Sequence, residues 1–292
     1  MSRLGKTAAS LLLSSLAALS SASCGDDGSA SGRGSVGFST WGEEYIELGL
    51  PQSEFADGYE VVFDRFLVLI GNIELADAEG QVAARHEGFF LVDHVEPGVK
   101  DLVRFDGLEA GAYERVSFET SPAARGAITL VGGTTDADAE LMASGGYHVY
   151  AEGTLSGGGS SKRFAWGFGV PTKLDECEAE LDGKLQRGAL VPAGGSDSIE
   201  LTIHGDHFFY DDLQASDAVL RGAALAQADA DDDGTITLEE LAAVRLVDLP
   251  ADQYGVGGVS GVDELEGFVR FLSRTLGHFR GEGECIVRAP NG

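Results

Sequence analysis

The chain has 292 residues, 43% of them hydrophobic, which is enough for one large or two modest domains and excludes a wholly disordered polymer. Twenty Lys and Arg stand against 48 Asp and Glu, a formal net charge of −28. Such a surface repels phosphate backbones, so nucleic acid is excluded as a partner and cations are favoured.

Residues 1–23 read as an export signal. Arg3 and Lys6 precede the apolar run "AASLLLSSLAALS", which is too short to span a bilayer comfortably. The small residues "SSAS" then lead into Cys24. This small-residue site ending in cysteine resembles a bacterial lipobox. The resemblance implies a lipid on Cys24 that anchors the mature protein in a membrane of the cell envelope, facing the periplasm or the cell surface. Plain secretion is the alternative. Residues 24–35, including "GDDGSASGRGS", have no apolar side chain larger than Ala and read as a flexible tether.

Residues 36–211 read as a β-rich domain. The 42 glycines fall between short apolar runs, which signals many turns. "YEVVFDRFLVLIGNIEL" (59–75) is dense in β-branched and aromatic residues, with Phe63, Leu67 and Leu69 able to face one way. "GFFLVDHV", "AYERVSFET", "GYHVYAEGTL", "KRFAWGFGV" and "SIELTIHGDHFFY" are further short strands, and "SGGGSS" (156–161) is a hairpin loop. Strands of this length and spacing predict a β-sandwich or barrel.

Residues 212–292 change to a helical period. "LQASDAVLRGAALAQA" predicts a helix capped by Ser216 or Asp217, "TLEELAAVRLVDL" a second that Pro250 stops, and "VDELEGFVRFLSRTLGHF" (262–279) a third with a Leu265, Phe268, Val269, Leu272, Leu276 stripe. The expected fold class is α+β: a β-sandwich-like body followed by a helical segment. In an exported protein Cys177 and Cys285 predict a disulfide that staples the C-terminal tail to the strands.

Between the first two helices lies "DADDDGTITLEE" (229–240), which resembles the EF-hand calcium loop. Asp229, Asp231 and Asp233 match loop positions 1, 3 and 5. Gly234 matches the sharp turn at 6, Thr235 the carbonyl ligand at 7 and Ile236 the inward apolar residue at 8. Thr237 stands at 9, where a water often ligates, and Glu240 at 12, where a bidentate carboxylate closes the site. Calcium takes six to eight oxygens at roughly 2.3–2.6 Å, and alternating aspartates let one loop aim several at one point. The resemblance covers residues 216–246, implies a helix-loop-helix and implies Ca2+ as the cofactor. No second loop is visible, so a weak structural site is expected rather than a paired sensor.

"HGDHFFYDD" (204–212) is a second metal-ligating stretch. His204, Asp206 and His207 suit copper or zinc. Residues three apart on a strand point to opposite faces, so His204 and His207 converge only if Gly205 forms a bulge. His86, His94 or His148 could complete the set; otherwise the histidines satisfy loop carbonyls or face solvent. HExxH, GxSxG and CxxCH are absent, and no enzyme is expected. No feature identifies a protein partner.

Overall fold

A computed structural model describes residues 32–290 of the chain. The export segment, Cys24 and the first part of the tether lie outside the described residues.

The strand Glu60–Ala76 organises the larger of two main sheets. It pairs antiparallel with Val149–Gly157, Arg115–Thr120 and Phe89–Asp93. Val149–Gly157 runs into Ser160–Phe168 through Gly158 and Gly159, at φ +59° and +84°. Two successive positive φ values are what a tight hairpin needs, and they account for the glycines of "SGGGSS". The smaller sheet runs Gly277–Phe279, Ser196–Ile203, Arg33–Trp41, Lys100–Glu109, with a parallel pairing between the two central strands.

One core fills the space between these sheets. Val36, Phe38, Ile199 and Leu201 from the smaller sheet share a buried cluster with Phe66, Val68, Ile70 and Trp166 of the larger. The body is therefore sandwich-like, and the fold is α+β.

The strand Glu60–Ala76 does not present Phe63, Leu67 and Leu69 on one side. Phe63 joins the main core, whereas Leu67 and Leu69 join a second cluster with Phe89 and Leu91. A register shift between Phe63 and Arg65 against Val149–Gly157 is the reason: one extra residue reverses the alternation beyond it. That second cluster is covered by Ala139 and Met142 of a helix, Asp136–Gly145, inside the stretch read as strands. Thr135 and Asp138 form its capping box and Gly146 ends it at φ +65°.

The C-terminal helices are shorter than the periodicity suggests: Ala223–Gln227, Leu238–Ala243 and Leu265–Leu272. Neither Ser216 nor Asp217 caps the first. Asp57, far away in sequence, accepts hydrogen bonds from the N–H groups of Gly222 and Ala223 instead, at 3.0 and 2.8 Å. The second helix ends at Val244, in extended conformation well before Pro250. The third buries Leu265, Phe268, Val269 and Leu272 as expected, but residues 277–279 leave it to form an edge strand of the smaller sheet. Cys177 and Cys285 are disulfide-bonded, tying the strand Glu284–Arg288 to Thr172–Leu181. Among the described residues no helix is long and apolar enough to cross a membrane.

Candidate metal centre

Of the six histidines, three come together. The strand Ser196–Ile203 ends immediately before His204, and a tight 3-10 turn, Asp206–Phe209, follows. A helical turn of three residues, not a bulge, brings His204 and His207 onto one side, with their ring centroids 5.4 Å apart. Gly205 permits this close packing, since a Cβ there would lie 2.7 Å from the Ile46 side chain.

The third member is His278, on the edge strand Gly277–Phe279. Antiparallel pairing sets Ile203 opposite Gly277 and Thr202 opposite His278, and the His204 N–H donates to the Leu276 carbonyl at 2.9 Å. The His278 ring centre then lies 4.1 Å from that of His204 and 5.2 Å from that of His207. One nitrogen from each of the three lies within 4.8 Å of the others.

All three rings are buried, and burial lowers the proton affinity of each below its ordinary value. His207 is pushed down further by its two histidine neighbours. The lowering favours the neutral imidazole, the form that ligates metal. The Thr275 hydroxyl donates to the Leu272 carbonyl, so it accepts from His207 Nδ1 at 2.9 Å. That assigns the proton to Nδ1 and leaves the Nε2 lone pair free. His204 Nε2 and His278 Nδ1 are buried and make no hydrogen bond within the protein. Each such orphan costs about 1–3 kcal/mol unless something else satisfies it.

Carboxylates surround the rings. Glu43 Oε1 lies 3.2 Å from His204 Nε2. Burial raises Glu43 to about 7, helped by Glu282, Asp206 and Glu200. Its backbone sits at φ +56°, a conformation that disfavours a side chain. Asp206 accepts the Tyr210 hydroxyl at 2.8 Å on one oxygen, while its other oxygen has no partner. Burial, then the Asp206 charge, raises the Tyr210 phenol. The cleft has a volume of about 480 Å³, and its described lining includes four carboxylates and neither lysine nor arginine.

The remaining histidines lie apart from this cluster. His148 Nε2 donates to the Ser273 carbonyl at 3.0 Å, and its Nδ1 accepts the Val170 N–H at 3.1 Å; burial lowers it to about 4. His94 is fully buried against Thr40, 3.0 Å away, and is lowered to about 3 by that burial. His86 stacks on Phe90. None completes the pair, and His278, read as helical, is the member of the cluster that sequence reasoning missed. Its signal was faint: a lone histidine beyond Gly277, whose role depends on strand pairing.

The acidic loop is a separate place. One carboxylate oxygen from each of Asp229, Asp231 and Glu240 lies within 4.8 Å of the others. Gly234 adopts φ +88°, and Ile236 is buried, with its carbonyl accepting the Trp166 indole N–H at 2.8 Å. Thr235–Ile236 pairs in parallel with Arg163–Phe164, so the body's own sheet borders the loop. Asp229 accepts from the N–H groups of Asp233 and Gly234, and Asp233 from that of Thr235. Thr237 and Glu240 form a capping box at the helix start, while Glu240 also accepts from the Ala230 N–H at 3.0 Å. Lys162, unforeseen, reaches Asp229 at 2.6 Å and Asp232 at 2.7 Å. Its ammonium holds Asp229 below the usual carboxylate range.

No family model matches the chain, and no curated protein matches it. Among solved structures, MbnP from Methylosinus trichosporium superposes with a TM-score of 0.33 at 10% identity, over 61% of this chain and 77% of that one. So loose a likeness leaves fold and function to this chain's own residues. Those residues gather metal-ligating groups in two places, one imidazole-rich and one carboxylate-rich.

Proposed function

We propose that this is a metal-binding protein of the cell envelope that holds a copper or zinc ion on His204, His207 and His278. One observation carries this reading: three buried imidazoles from two separate chain segments converge, and neither His204 Nε2 nor His278 Nδ1 makes a hydrogen bond within the protein. Imidazole nitrogens suit both metals, and the general affinity order favours copper where both are free. The ion would satisfy the unpartnered His278 Nδ1, and the cleft gives solvent or a small ligand access to it. The export signal and a lipid on Cys24 would place the protein at a membrane surface, or free it by secretion.

Titration of the metal-stripped protein with Cu2+ and Zn2+ tests this. One tight site that His207→Ala with His278→Ala abolishes is the expected result. Undiminished binding by the doubly substituted protein, with its fold intact by circular dichroism, would sink the reading.

A second reading is a structural Ca2+ on Asp229, Asp231, Asp233, Thr235, Thr237 and Glu240. The convergence of Asp229, Asp231 and Glu240 around the Gly234 turn supports it. Calcium would lock the loop against Ser160–Phe168, stabilising the fold by about 2.7 kcal/mol at a hundredfold excess over Kd. A calcium-dependent rise in melting temperature that Glu240→Gln removes is expected. No thermal shift would overturn this reading alone.

A further inference from the structure

The histidine cleft has a second side. Glu43, His204 and Glu282 each offer a ligand atom, and those three atoms lie within 4.8 Å of one another. His204 belongs to this set and to the histidine set, whereas Glu43 and Glu282 do not join His207 and His278 in one group. The two sets therefore have His204 alone in common. Its Nε2 lies 3.2 Å from Glu43 Oε1 and makes no hydrogen bond.

The free oxygen of Asp206 is an independent sign. Asp206 is 7% exposed, lines the cleft, and leaves Oδ1 without a donor, 3.9 Å from His204 Nδ1. A buried carboxylate oxygen without a donor calls for a cation, a proton or a water from the cleft. The surroundings point the same way: among the described residues, the cleft lining holds Glu43, Asp206, Glu282 and Glu284 and neither lysine nor arginine.

The chain holds Glu43 there despite its backbone. A short helix, Glu43–Glu47, begins at this residue directly after the strand Arg33–Trp41 and Gly42. Gly42 presses against His94, where a Cβ would come within 2.6 Å of the His94 Cβ. Glu43 is thus braced from behind, while Glu282, on the loop after the His278 strand, is exposed. One half-buried and one exposed carboxylate beside an imidazole make an accessible site for a harder ion than three imidazoles alone would select.

We propose that the cleft is a two-ion site: a divalent cation of the zinc or manganese class is held by Glu43 and Glu282 on one side of His204, beside the ion of the three-histidine set. The inference rests on the histidine cluster being a metal site, and the test separates the two.

The metal-stripped protein is titrated with Zn2+ in excess calcium, which occupies the acidic loop's carboxylates. Two ions per chain are expected. Glu43→Gln with Glu282→Gln should leave one, and so should His207→Ala with His278→Ala. Glu282→Gln alone, an exposed change that spares the fold, should weaken only the second ion, about tenfold or more. A wild-type count of one, untouched by Glu282→Gln, overturns the second ion and leaves the histidine site standing. A count that the histidine substitutions do not lower overturns the histidine reading, and this inference with it.

Discussion

The histidine cleft and the acidic loop are both built to face a cation, yet they handle their ligands in opposite ways. The loop's carboxylates are already engaged: Asp229 by two backbone N–H groups and Lys162, Glu240 by Ala230 and Thr237. The cleft leaves His278 Nδ1 and Asp206 Oδ1 unpaired in a buried setting, and His204 Nε2 faces only the Glu43 carboxyl without a hydrogen bond. An ion entering the loop competes with bonds that hold its shape. An ion entering the cleft relieves a cost the fold already carries. Local ligands can be satisfied by their own loop, whereas ligands assembled from distant strands have no neighbours to turn to.

Acid should separate the two regions most strongly. His94 braces Gly42 beside Glu43, and His148 holds the Ser273 carbonyl near Thr275. Burial lowers them to about 3 and about 4. The unfolded chain takes up these protons near pH 6.5, while the folded chain takes them up only well below. Stability is therefore full above that pH and is lost as pH falls towards 4, by about 1.4 kcal/mol per histidine per pH unit. In the loop, Asp229 and Glu240 are held below the ordinary carboxylate range, the first by Lys162 and the second by Thr237. Their contribution persists above the ordinary carboxylate pKa and is lost only as pH falls through the lower folded values. Denaturant midpoints of the metal-free protein should fall between pH 6.5 and 4, and His148→Gln should flatten that slope.

The disulfide offers the next largest effect. Cys285 lines the cleft, and its bond to Cys177 closes a span of 108 residues. Replacing both with Ser should cost about 2–5 kcal/mol of stability. It should also weaken the histidine site, because Glu282 and His278 lie on the chain just before the staple. Calcium affinity should be unchanged, as calorimetry on both metals would show.

A smaller change isolates one hydrogen bond. Thr275→Val removes the acceptor that keeps the His207 proton on Nδ1. Loss of such an outer partner costs about 10–100-fold in metal affinity, and Thr275→Ser should restore it. The electron paramagnetic resonance spectrum of the Cu2+ form should change in step. The smallest effect belongs to the loop: Lys162→Met removes a cation 2.6 Å from Asp229 and should raise calcium affinity several-fold, most clearly at low salt. A fall instead would mean that Lys162 holds the loop in its binding shape.

Much of this was legible in the linear chain. Apolar alternation and glycine punctuation announced a strand-rich body, and the C-terminal stripe on Leu265, Phe268, Val269 and Leu272 marked a helix. The acidic loop could be picked out because all of its candidate positions lie within twelve residues, where local spacing brings Asp229, Asp231 and Glu240 together. Local period and local turn chemistry determine such features without reference to the rest of the molecule. Tertiary structure decided the remainder. The register shift after Phe63 sent Leu67 and Leu69 to the other face, because strand alternation is reset by whatever the partner strand allows. Asp57 took over the cap that Ser216 and Asp217 were expected to provide. His278 joined His204 only because an edge strand pairs with Ser196–Ile203, and Lys162 met Asp229 only because a hairpin lies beside the loop. Contacts between residues dozens of positions apart are fixed by burial of a shared core, and no local pattern records them.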